Sequence, residues 1–235
     1  MRDRVDRYRA LERELGGLGI PMSDPKVRIP VAPVVQDADG FPSRGVRGNF
    51  LSHLGAIESA AEEGIETLLV LEDDAIFRRT MRSPALQRRL CEQLASGTWD
   101  LCFLGHPLSH SLAGHEEGLV LTDVTFKWSH CYLVHRRVAR RLGDYLRATM
   151  SRPPGDPAGG KMYIDGAVSL WRTLNPDALT LVANPALSIQ KGSPSGLAGK
   201  AWYEGWAPTR VAAHAARAMR DQLWRHTGWP APSEK

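Results

Sequence analysis

Three successive carboxylates, Glu72, Asp73 and Asp74, follow directly on the uninterrupted apolar run Leu68-Leu69-Val70-Leu71. Acids delivered at a strand end suit a hard divalent cation such as magnesium or manganese. Such ions take oxygen ligands, and often only one or two protein carboxylates when a diphosphate supplies the rest. If strand geometry persists, alternation puts Glu72 and Asp74 on one side and Asp73 on the other. The competing reading is that the acids end the strand, pair with nearby arginines or cap a following turn. His106, His110 and His115 invite a zinc reading, but their spacing matches no tight ligand motif. Asp165 precedes the apolar stretch Ala167, Val168, Leu170 and Trp171, where it can serve as a helix N-cap.

The elements around these residues predict an α/β fold. An apolar run without polar alternation fits a strand covered on both faces, as in a central, mostly parallel sheet flanked by helices. From Asn49 to Glu63, the residues Phe50, Leu51, Leu54, Ile57, Ala60 and Ala61 recur at helical spacing, and Gly64 is placed to end that helix. In open α/β sheets ligands collect beyond the carboxyl ends of the strands, where Glu72, Asp73 and Asp74 would emerge. Val5, Tyr8, Leu11, Leu15 and Leu18 mark one face of a first helix. A strand is expected around Val27 to Val35, then a Gly-, Asp- and Arg-rich loop from Gln36 to Gly48. Pro84 to Leu94 reads as a helix, and Trp99 to Leu104 as a second buried strand running out into Gly105 and His106. Thr125 to Val134 reads as a strand, Arg136 to Thr149 as a helix, and Ser151 to Gly160 (SRPPGDPAGG) as a long loop. Leu179 to Val182 and Leu187 to Gln190 are short strands, and the tail from Val211 to Trp224 is a basic amphipathic helix.

A chain of 235 residues that is 43% hydrophobic can bury one sizeable core, so a single domain over 1–235 is expected, with 204–235 a helical tail. The charged opening residues contain no apolar signal core, and no uncharged stretch is long enough for a bilayer, which makes the cytoplasm the expected compartment. Cys91, Cys102 and Cys131 lack metal-binding spacing and read as small hydrophobes. The formal charge of +4 sits largely in short arginine clusters that read as solvated helix faces, and no nucleic-acid partner is indicated.

The segment Gly45-Val46-Arg47-Gly48-Asn49-Phe50-Leu51-Ser52-His53-Leu54, a helix, and then Leu69-Val70-Leu71-Glu72-Asp73-Asp74 resembles the signature of glycosyltransferase family 25. Members of that family include lipo-oligosaccharide galactosyltransferases. Asp6-Arg7, Leu18-Gly19-Ile20, Trp99-Asp100, Leu104-Gly105 and Ser129-His130-Cys131-Tyr132-Leu133-Val134 extend the resemblance over roughly residues 5 to 195. Two departures stand out. Asn49 replaces the usual cysteine, and the family's opening strand, IxxINLxxR, has no counterpart before the Asp6-Arg7 helix.

The resemblance implies a GT-A-like, Rossmann-like sheet without its usual first strand and a divalent cation (manganese or magnesium) at the acidic motif. It also implies transfer, with inversion, of a sugar from a nucleotide-diphospho-sugar to a saccharide or glycolipid acceptor, with galactose the first candidate. Asp74 is then the first metal ligand with Glu72 beside it. Glu72 and Asp73 would contact metal, ribose or sugar, while Gly48, Ser52 and His53 line or support the donor site. His53 has the alternative of tying two loops together from inside its helix. Gly105 and His106, at the second strand end, would meet the donor phosphates, as would Lys191 in the late polar segment with Gln190 and Ser193; a solvated turn is the alternative for Lys191. His130 and Tyr132 share a strand face, directed at the acceptor or into sheet packing. Asp165 is the candidate base for the acceptor hydroxyl, against its N-cap role. Trp202, Trp206, Trp224 and Trp229 either stack on sugar or pack the last helix, whose basic face also suits an anionic inner-membrane surface. The alternative function is a catalytically silent nucleotide-sugar or glycan-binding module.

Overall fold

The computed structural model describes residues 5–108, 112, 114–191 and 207–227, with the helical backbone alone for 207–214. His110, Ser193, Trp202, Trp206 and Trp229 lie outside the described residues. The order is α1 (Val5–Gly17), α2 (Arg44–Glu62), β1 (Thr67–Leu71), β2 (Ala75–Phe77), a 3-10 turn (Arg79–Arg82) and α3 (Pro84–Ser96). There follow β3 (Leu101–Phe103), β4 (Gly118–Leu121), β5 (Cys131–His135), α4 (Arg136–Ser151), α5 (Ile164–Leu174), β6 (Thr180–Asn184), β7 (Ser188–Gln190) and α6 (Ala207–Thr227).

The protein is α/β with a five-stranded mixed sheet in the order β1-β5-β3-β6-β4 and a separate two-stranded ribbon, β2-β7. Side-chain alternation builds two cores from the same strands. Leu101, Phe103, Tyr132, Val134 and Val182 face α2, α4 and α5, whereas Cys102, Leu104, Cys131, Leu133 and Ala183 face the side of α3. Helix α2 starts where the Ser43 hydroxyl accepts the Val46 amide at 3.2 Å, and ends at Gly64, whose φ of 67° is costly for any residue with a Cβ.

The expectation of a mostly parallel sheet is corrected. Only β3 and β6 run parallel; β1–β5, β3–β5 and β4–β6 are antiparallel. The acidic run ends an edge strand, not a central one, and Leu69 is 41% exposed there. A short apolar run reports burial but not the direction of its neighbour, which is set by distant β5. Residues 27–35 form no strand, and Ile29, Val31 and Val34 are exposed. The strand expected over Thr125 to Val134 is confined to Cys131–His135. Strands β2 and β4 were not foreseen. Cys102 and Cys131 are buried as expected, but Cys91 is exposed. Among the described residues, no helix is long and apolar enough to cross a membrane.

A candidate acidic site at the end of the first strand

Strand β1 stops at Leu71, and Glu72, Asp73 and Asp74 form a tight turn closed by the Ala75 amide on the Glu72 carbonyl at 3.1 Å. The turn sits between the main sheet and the β2-β7 ribbon. On the sheet side the Glu72 amide donates to the His130 carbonyl (2.9 Å), and on the ribbon side the Lys191 amide donates to the Asp74 carbonyl (2.7 Å). The acidic backbone is thus pinned at both ends.

Glu72 points inward. Its Oε1 lies 3.3 Å from His53 Nε2 and accepts the Ser129 hydroxyl at 3.1 Å. His53 Nδ1 lies 3.0 Å from the Tyr132 hydroxyl. Since a carboxylate only accepts, the His53 proton belongs on Nε2, and Tyr132 donates to Nδ1. Burial, and then the Glu72 charge, hold the tyrosine proton tightly in place. Burial opposes ionisation of Glu72, but the hydrogen bonds from His53 and Ser129 outweigh it and keep the Glu72 pKa below its ordinary value. The result is a buried anion supplied with donors.

Asp74 is treated differently. It is only 7% exposed, and among the described residues its Oδ1 has no hydrogen-bond partner. Burial and the neighbouring Glu72 charge raise its pKa to about 6, against the pull of Arg7. Gln190 Nε2 lies 3.4 Å from Glu72 Oε2 and 3.3 Å from Asp74 Oδ2, so the two acids share one amide donor. The strand alternation expected for Glu72 and Asp74 is lost in the turn, yet both still reach the same partner. Arg7 Nη1 donates to Asp73 Oδ1 at 2.6 Å and stands 3.7 Å from Asp74 Oδ2. Asp73, Asp74 and Lys191 line a cavity of about 360 Å³, together with Arg13 and Glu14 of α1, Arg82, and Arg225 of α6.

Asp165 sits in the first turn of α5, two residues beyond the N-cap, which is Tyr163, so the expected cap role is corrected. Its Oδ1 accepts the Gly166 amide at 2.7 Å. Burial first, and then the Glu72 charge, raise its pKa, partly offset by the Gly166 amide and by Lys127. Asp165 therefore lies within electrostatic reach of the acidic turn while being more basic than an ordinary aspartate.

Several expected contacts are corrected by burial. His106 is wholly buried, with Nε2 on the Ala183 carbonyl at 2.5 Å and Nδ1 accepting the Leu108 amide at 3.1 Å, so neither ring nitrogen is left for a phosphate. Gly105 is required by packing, since a Cβ there would stand 2.2 Å from His130 Nε2 and 2.7 Å from the Ser188 carbonyl. Tyr132 lies between the rings of His53 and Phe103, and His130 lies edge-on to Trp128; both are buried away from any acceptor. Ser52 donates to the Gly48 carbonyl within α2 at 2.9 Å, and Gly48 faces residues 33 and 35. Trp224 packs on Ile76 and Ile189 instead of stacking on a ligand.

The fold thus brings together Glu72, Asp73, Asp74, His53, Tyr132 and Lys191, places Asp165 within electrostatic reach of Glu72, and leaves Gly48, Ser52, Gly105 and His106 in supporting positions. Arg7, Ser129 and Gln190 complete the turn. Nothing in the local pattern singled them out as its partners. Among the described residues, no three His, Cys, Asp or Glu side chains converge as a complete metal cage. The buried, unpartnered Asp74 oxygen nonetheless fits a hard cation that takes one or two protein carboxylates and completes its shell from ligand and water. Comparison with models of known protein families gave no match, and comparison with curated proteins gave none either.

Proposed function

We propose that the protein is a glycosyltransferase that uses a nucleotide-diphospho-sugar, built on a variant of the GT-A arrangement and working with inversion at the sugar carbon. The observation that carries this reading is a buried carboxylate that lacks a partner among the described residues, Asp74, together with a second aspartate whose proton affinity is raised, Asp165, both under the influence of the fixed Glu72 charge. Asp74 and Glu72 would hold a divalent cation, with Asp73 beside them. Such an ion supplies charge neutralisation to a departing diphosphate.

The chain's own residues supply the rest. Lys191, exposed at the cavity rim, binds phosphate oxygens. Asp165 accepts the proton of the acceptor hydroxyl as that oxygen forms its bond to the anomeric carbon; the bond from that carbon to the phosphate oxygen breaks, and the nucleotide diphosphate leaves with the electron pair. The His53–Tyr132 pair keeps Glu72 in place throughout. A saccharide or glycolipid is the acceptor class.

The test is incubation with a panel of nucleotide sugars in manganese, magnesium or chelator, measuring free nucleotide diphosphate and donor binding together. Metal-dependent release from one donor supports the transferase and names the sugar. Donor binding without release under every acceptor tried would identify a silent binding module in its place. In the active case, Asp165→Asn should keep donor binding and lower transfer by about 100-fold, within the usual range for a lost general base.

A further inference from the structure

Helix α1 is attached to the rest of the protein unevenly. Among its residues only Glu14 and Leu15 are buried. Glu14 accepts the Phe77 amide at 3.2 Å through Oε2 and pairs with Arg225 of α6 through Oε1, so the C-terminal half of α1 is tied to both β2 and α6. In the first two turns, Val5 is 52% and Tyr8 44% exposed. What fixes that half to the acidic turn is Arg7, a partly buried guanidinium on Asp73 and close to Asp74.

Arg7 thus occupies the position of a counter-cation to Asp73 and Asp74. It does not satisfy them, because Asp74 Oδ1 remains buried without a partner beside the cavity. A doubly charged ion and a guanidinium beside the same two carboxylates compete for the same negative charge. Freeing the first two turns of α1 would expose little apolar surface, so their release costs little hydrophobic burial.

We propose that Arg7 is an internal counter-cation that a divalent ion displaces, so that loading of the acidic turn unlatches the N-terminal half of α1 from the site. This rests on the cation-binding reading of Asp74 given above. In the unloaded state the latch keeps Asp73 and Asp74 together despite their like charge. Once displaced, Arg7 is released near a cavity whose lining already includes Arg13 and Lys191, where its charge adds to theirs towards an incoming diphosphate.

The test uses Mn2+ alone, titrated into the full chain and followed by the electron paramagnetic resonance of free Mn2+, alongside hydrogen exchange over residues 5–12. Arg7→Gln should bind Mn2+ about tenfold more tightly than the native protein, the order expected from removing one competing charge near the surface. Arg7→Lys, which keeps the charge, should stay near native, and Asp74→Asn should abolish the binding. In the native protein, saturating Mn2+ should speed exchange in the first two turns of α1, while the segment around Glu14 and Leu15 stays protected.

Unchanged or weaker Mn2+ affinity in Arg7→Gln, with Asp74→Asn still abolishing it, would overturn the latch and leave the cation site standing. Equal tightening in Arg7→Gln and Arg7→Lys would overturn it too, by showing that loosening of the helix and not loss of charge is responsible. Exchange over residues 5–12 that ignores saturating Mn2+ in the native protein would do the same without recourse to any variant. Absence of any Asp74-dependent Mn2+ binding would remove the cation reading, and the latch with it.

Discussion

The two sides of the acidic turn make opposite use of buried charge. Towards the sheet, Glu72 is served by His53 and Ser129, with Tyr132 behind the histidine. Towards α1, Asp74 is set more deeply than Glu72 but, among the described residues, keeps an oxygen with no donor, while Arg7 and Gln190 stand near its other oxygen. A buried anion supplied with donors is part of the scaffold, whereas one left short of them is a place where a ligand gains free energy by supplying what the protein does not. Glu72 thus becomes the fixed charge against which Asp74 and Asp165 are tuned, since it raises the proton affinity of both.

The largest effect is expected at Asp74. Replacing it with Asn should lower metal-dependent donor turnover by roughly a thousandfold, because several kcal/mol of charge stabilisation are lost at the leaving group; near-native turnover would move the cation site elsewhere. On the sheet side the loss should fall on stability. His53→Leu leaves Glu72 without its main donor, and denaturant unfolding should register about 1–3 kcal/mol, the scale of a charged acceptor left without its hydrogen bond.

Asp74 also predicts a pH dependence for the metal-free protein. A carboxyl whose pKa rises from its ordinary value to about 6 on folding binds more proton in the folded state. Stability should therefore fall as pH rises through the interval from about 4 to 6, by roughly 3 kcal/mol, and level off above it. In Asp74→Asn that decline should vanish, leaving the variant more stable than the native chain at pH 7; an unchanged profile would mean that Asp74 is satisfied in solution. The smallest effect is expected from Tyr132→Phe, which removes one hydrogen bond and leaves His53 Nδ1 without a donor, at a cost of about 1–2 kcal/mol. A larger loss would mean that the relay is cooperative beyond the pair.

Much of the element order was legible in the residues. The helix before β1, the acid-terminated strand, the helix beginning at Pro84, the strand and helix around Cys131 and Arg136, and the C-terminal helix all follow from periodicity and from Pro and Gly placement. The failures were also physical. Val27 to Val35 has the composition of a strand, but a strand needs a partner, and no ladder forms there. His106 looked available because it follows a strand end; its buried ring is consumed by Ala183 and Leu108, two contacts that no local pattern encodes.

That acids emerge at the end of a strand after a helix bearing His53 follows from the residues alone, because local periodicity and side-chain chemistry need only near neighbours. That β1 is an antiparallel edge strand, that His53 and Tyr132 serve Glu72, and that Arg7 reaches Asp73 and Asp74 from far along the chain are set by packing in three dimensions. These depend on which distant segments meet and on how much water their meeting excludes. The same three carboxylates became one anion supplied with donors, one part-buried ion-paired acid and one buried acid short of donors because their surroundings differ, while their intrinsic chemistry is nearly the same.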